Sequence, residues 1–258
     1  MLGFVLIVAF CLHERRGGAT VLPSATFAPR STLKWIYLTI AILAIASTVE
    51  TFAPLFGQRL GGLAPLAAGF LGAALAAGWT LAEIPSASAS RPATTRLLVV
   101  MAPAVIALGL ATTALLQRAD AGGIFLLLWA SALLTVGAGI GIAWPHLAAG
   151  AMHSVTDPTD GDKASAAINI VQLVANAFGA ALAGVLVNAT ETPVSSAHLL
   201  YGGFAVLALL IGGTSAILSQ RSKAAPTRHA ETAAAPSFTP EVRSSVRRSR
   251  RESLLPRH

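Results

Sequence analysis

The sequence predicts an all-α, polytopic membrane bundle, and three observations predict it. Of its 258 residues, 54% are hydrophobic and only 11% charged, against roughly 25% charged in ordinary soluble chains. The mean hydropathy is +0.68. The apolar residues neither alternate nor form amphipathic stripes; they run in blocks about 20 residues or more long, the length a helix needs to cross a hydrocarbon core. A soluble domain is excluded, and so is a disordered chain, which needs low hydrophobicity.

The opening MLGFVLIVAFCL (1–12) is a partial apolar helix, about 18 Å long against a core of about 30 Å. Its charges, His13-Glu14-Arg15-Arg16, follow the apolar run, the reverse of a signal peptide. It reads as the last part of a membrane helix, with 13–32 as a cytoplasmic linker. Cys11 is the single cysteine, so no disulfide or cysteine-based metal site forms within the chain.

Six full spans are expected at 33–55, 61–83, 97–116, 122–150, 165–189 and 199–219, making a transmembrane domain of 33–219. Polar breaks separate them: Arg91 and Arg96 in the loop after the second, Gln117-Arg118-Ala119-Asp120 after the third, TDPTDGDK (156–163) after the fourth, and Glu191-Thr192-Pro193 after the fifth. The tail, 220–258, carries nine Lys/Arg against three Glu, so it holds +6 of the net charge of +7. Its Ser, Pro, Ala and Arg content predicts disorder. Such basicity suits anionic headgroups; nucleic acid is not an expected partner. Sixteen Lys/Arg fall on the side of the tail and only Arg59 and Arg118 on the other. The positive-inside rule therefore puts the tail in the cytoplasm of a multi-pass inner-membrane protein.

Polar residues within spans carry the functional information, because each needs a partner or water. Asn169, Gln172 and Asn176 of the fifth span are spaced by three and four, which sets them on one helical face. Ile170, Val174 and Ala181 take the opposite face. Two readings stand: amides that bond between helices, worth about 0.6–2 kcal/mol each, or the wall of a watery substrate cavity. Glu83 closes the second span beside a polar loop. Glu50 is expected close to the outer end of the first span, among Phe52, Pro54, Leu55 and Phe56. A carboxyl drawn out of water favours its neutral form and can exchange protons, so Glu50 is the candidate coupling group.

In the fourth span Gly137 and Gly141 make a small-xxx-small surface for close helix contact. Pro145 removes a backbone donor and should kink the helix beside Trp144 and His146. His146 and His153 are two turns apart, too far for a good metal pair. No catalytic triad, phosphate loop or zinc spacing occurs; no enzyme, metal or cofactor is expected.

Several stretches resemble bacterial major facilitator superfamily exporters. PLFGQRLGGLAPLAAG (54–69) resembles the junction of their seventh and eighth helices, and GAGIGIAWPHLAAGAMHSV their tenth. ASAAINIVQLVANAFGAALAG (164–184) resembles their eleventh, with Gly179 and Gly184 at matching packing positions. AFCLHERR followed by LPSATFAPRST resembles the link before the second half of fourteen-helix drug:proton antiporters. The resemblance covers about 7–220. Two features depart from it: the loop after the second span lacks the family's aspartate, and Gln172-Leu173 replaces an Arg-Gln pair.

The resemblance implies half of a major facilitator fold, six helices in an inverted three-plus-three repeat with substrate held between two halves. Spans one, two, four and five would line the cavity, with three and six outermost. It implies the C-terminal half of a proton-coupled exporter of small amphipathic compounds, truncated or split and not competent alone. The partners expected are the lipid bilayer, a small-molecule substrate, and a separate N-terminal half or a second copy. Two other classes remain: a non-transporting assembly or regulatory subunit, and a small self-dimerising transporter.

Overall fold

The computed structural model of the chain describes residues 31–154 and 158–224. The apolar fragment 1–12, nearly all of the linker 13–32 and the tail beyond 224 lie outside the described residues.

Among the described residues, six helices are long and apolar enough to cross a membrane: Leu33–Gly61, Pro65–Ala87, Pro92–Leu116, Gly123–Met152, Lys163–Asn188 and Pro193–Arg221. Proline explains several of their starts. Pro65, Pro92 and Pro193 sit in the first turn of their helices, and the helix carrying the fifth span begins at Pro158. The missing N–H costs nothing there, and the fixed φ is already helical. The expected boundaries are corrected accordingly. Arg96 lies in the third helix and not in a loop, and the stretch read as a polar turn after the fourth span is helical from Pro158 onward.

The first span runs six residues past its expected end. It is α-helical over Leu33–Ser47, tightens to a 3₁₀ turn over Thr48–Thr51, and resumes as α-helix over Ala53–Gly61. Pro54 accounts for the break: an α-helix would pair the Glu50 carbonyl with the N–H of residue 54, which proline lacks. The Phe52 N–H instead reaches the Val49 carbonyl at 3.0 Å. The span ends at Gly62, whose φ of 61° is left-handed, the conformation glycine reaches without strain.

Most of the packing follows an exchange rule; the contact between the fifth and sixth spans has no counterpart of similar extent between the second and third. The second span packs on the fourth and the fifth on the first; the third packs on the fourth and the sixth on the first; the third also meets the sixth, and the first meets the fourth. Exchanging spans one, two and three for four, five and six maps each of these pairs onto another or onto itself. Because the exchange matches an odd span with an even one, the two triplets run in opposite senses, as in an inverted three-plus-three repeat.

Glycine makes the second–fourth seam. A Cβ on Gly137 would collide with the Leu75 carbonyl, one on Gly141 with the Trp79 carbonyl, and one on Gly78 with the Leu134 carbonyl. Backbones meet there with no side chain between them. Trp79 and Trp144 close the seam, ring centroids 5.4 Å apart at 60°. Elsewhere, Trp129 Nε1 donates to the Leu116 carbonyl at 3.0 Å, Thr39 Oγ1 meets Ser215 Oγ at 3.0 Å, and Phe56 and Tyr201 rings lie 5.8 Å apart. These contacts tie the fourth span to the third and the first to the sixth.

Candidate functional site

The site is built where the broken first span crosses the fifth. Thr48 begins the 3₁₀ turn, and its hydroxyl donates to the Ile45 carbonyl at 2.7 Å. Opposite it lies Gly179: a Cβ there would stand 2.9 Å from Thr48 Oγ1 and 3.1 Å from Ile45 Cα. The absence of a side chain at 179 lets the two helices approach at this height. Asn176 is one turn earlier on the fifth span, and Glu50 lies two residues beyond Thr48. The crossing brings the Glu50 turn and the amide stripe to one region.

Height follows from helix rise. Asn176 is about 20 Å from the start of its span and Glu50 about 26 Å from Leu33, at about 1.5 Å per residue. The first span continues eleven residues past Glu50, to Gly61. Glu50 therefore lies within the helical span and not at its end, because the helix resumes after the break. Its carbonyl faces the second span, 3.2 Å from where a Gly72 Cβ would stand.

Asn169 is exposed, and Gln172 and Asn176 are half-buried. Asn176 Oδ1 is buried with no hydrogen-bond partner. Among the described residues, no side-chain hydrogen bond joins any of the three amides to another group. Glu50 and Thr51 are exposed. Apolar side chains of these spans are exposed as well: Leu173 is 69% exposed, Phe178, on the other face of the fifth span, 49%, and Phe70 of the second span 68%. The amide face combines donors and acceptors at mid-span with the exposed aliphatic side chain of Leu173. It can hydrogen-bond a small ligand and cover its apolar surface; nothing in it resembles a nucleophile with an adjacent base.

A separate cavity of about 570 Å³ opens at the end of the bundle where the fourth span finishes, lined by Thr95, His146, His153 and Gln220 among others. His146 Nε2 lies 3.0 Å from Ser86 Oγ, which also donates to the Ile142 carbonyl at 2.7 Å. The fourth helix continues through Pro145, with Ser86 of the second span bonded beside it. Glu83 is half-buried one turn before the second helix ends. Gly137 and Gly141 lie in the seam described above. At Gly184 a Cβ would meet nothing within 4 Å.

Sequence reasoning missed Ser47 and Thr48, the hydroxyls of the break, and Gly72, which accommodates it. Pro54 was the available signal.

No family model matches the chain. Two curated relatives from Mycobacterium tuberculosis do, one from strain CDC 1551 / Oshkosh and one from strain H37Rv, each named a "probable multidrug-efflux transporter". Each is 53% identical over 205 residues, which cover 79% of this chain and 43% of the relative. The chain thus spans less than half the length of these relatives.

Proposed function

We propose that this bundle is one half of a proton-coupled efflux transporter for small amphipathic compounds, of the major facilitator, fourteen-helix antiporter type. The polar wall carries the reading. A charged side chain in hydrocarbon costs about 2.5–3.5 kcal/mol at a helix centre on insertion scales, and uncovered amides add to that. A water-filled path beside the wall removes the cost. The relatives' printed names support efflux, and the exchange of two triplets supports a half-transporter, since such halves are inverted repeats.

The missing wall comes from a second membrane bundle, which covers the exposed faces of the second and fifth spans. It is a further stretch of the same polypeptide, a separate chain or a second copy. The charge bias supports a cytoplasmic tail. Asn169, Gln172 and Asn176 bond the substrate's polar groups while Leu173, beside them on the helix, covers its apolar part. Glu50 takes up the proton, and proton and substrate load the same wall in alternation.

The test is gradient-driven uptake of ethidium by everted vesicles holding this chain fused behind a six- to eight-span half. Glu50→Gln is expected to lower proton-driven uptake at least tenfold and leave ethidium binding, read by fluorescence, unchanged. Unaltered uptake in that variant moves coupling into the other half. Binding lost from every combination favours the assembly-subunit reading, and robust uptake by this chain alone favours the dimer.

A further inference from the structure

The seam between the third and sixth spans carries a feature the transport reading does not use. Arg96, near the start of the third helix, and Arg221, near the end of the sixth, both line a cavity of about 300 Å³ at one end of the bundle. Its remaining walls include Leu97, Val100 and Ile217. Both arginines are exposed. Among the described residues, no carboxylate lines the cavity and neither arginine has an ion-pair partner.

Further along the same seam a second groove, about 380 Å³, is lined wholly by apolar side chains: Ala104, Leu108 and Ala111 face Ala205, Val206 and Leu209. Between the two, helix irregularities meet. Pro103 lies inside the third helix, and a Cβ on Gly212 would approach its Cβ to 3.3 Å. Gly212 ends a π turn, Ala208–Gly212, in the sixth span. Such turns are rare and concentrate at functional sites.

We infer that this seam is a binding site for one anionic phospholipid, its phosphodiester held between Arg96 and Arg221 and an acyl chain laid along the groove toward Ala111. Charge and length both select this occupant. Two guanidinium forks from different helices present a doubly positive pocket suited to a phosphate, and basic pockets between membrane helices hold anionic headgroups. From Arg96 to Ala111 the helix rises about 22 Å, which spans the headgroup boundary and the roughly 15 Å of hydrocarbon in one leaflet. A soluble phosphate uses only the first pocket, and a zwitterionic lipid offsets its phosphate with its own ammonium. The basic tail attracts anionic lipid in another way, through surface charge with no acyl groove, so the two are separable.

The test titrates the detergent-solubilised full chain with phosphatidylglycerol, phosphatidylcholine or glycerol 1-phosphate, reading thermal stability and counting bound lipid by native mass spectrometry. Phosphatidylglycerol is expected to raise the melting temperature saturably with one lipid retained per chain; the other two are expected to have no such effect. Arg96→Gln or Arg221→Gln weakens the apparent affinity about fivefold each, and the double variant weakens it further than either alone. Val206→Trp, at a position 57% exposed, blocks the groove and lowers affinity with both arginines intact. Arg59→Gln combined with Arg118→Gln, the charge-matched change at the other end, has no effect. Equal response in the Arg96/Arg221 double variant overturns the proposal, as does equal response to glycerol 1-phosphate.

Discussion

Two seams of this bundle are related by the exchange of its triplets, yet they are built from opposite materials. In the second–fourth seam, Gly78, Gly137 and Gly141 each leave room for a carbonyl of the facing helix, and two tryptophans close it. In the first–fifth seam a single glycine, Gly179, meets a threonine. The helix there is broken at Thr48–Thr51, and a buried amide oxygen on Asn176 has no partner. The first arrangement fixes a distance. The second keeps polar groups at the middle of a span, with an amide oxygen that no group of the described residues satisfies. Within one fold, close packing and polar exposure have been assigned to equivalent positions on opposite sides.

The comparison breaks most visibly at Gly137. Replacing it with leucine drives a side chain into the Leu75 backbone, and the folded, monodisperse fraction in detergent chromatography is expected to collapse. Gly137→Ala is expected to cost about 1–3 kcal/mol in a denaturant titration, as overpacking does. Gly184→Ala, facing open space, is expected to stay within about 0.5 kcal/mol.

Asn176→Leu sharpens the other side. In a dry site, removing an unsatisfied buried acceptor raises stability by about 1–3 kcal/mol. In a wetted site water already satisfies the group, so stability is expected to change by less than about 0.5 kcal/mol while substrate binding by the fused transporter falls. A clear gain in the same titration places Asn176 in dry packing.

Smaller effects follow at the ends of the second–fourth seam. Ser86→Ala removes the bond to the Ile142 carbonyl and the contact with His146, and is expected to cost about 0.6–1.7 kcal/mol, the range for polar contacts between membrane helices.

Most of the bundle was legible in the sequence because length and apolarity alone decide what crosses a membrane. Six spans were expected, and six helices long and apolar enough to cross a membrane are present among the described residues; the ends moved where proline starts a helix, as at Pro92 and Pro193. The 3₁₀ break was not read, although Pro54 dictates it, because the proline was taken as the edge of a span and not as a missing donor inside one. The first helix consequently runs to Gly61 and not to residue 55, which leaves Glu50 eleven residues from its end. The stripe at Asn169, Gln172 and Asn176 followed from helical spacing. Its meeting with the Glu50 turn depends on Gly179 lying against Thr48, a contact between residues far apart in the chain that no local pattern encodes.

The central claim is that the amide face of the fifth span borders water while its opposite face borders lipid. Single cysteines at positions 169, 172 and 176, set against 170, 174 and 181 in a Cys11→Ser background, can be reacted in vesicles with a membrane-impermeant thiosulfonate. The account predicts that the first three positions are modified and the second three protected. Modification at equal rates on both faces, or protection at 169, 172 and 176 in every state of the transporter, would contradict it.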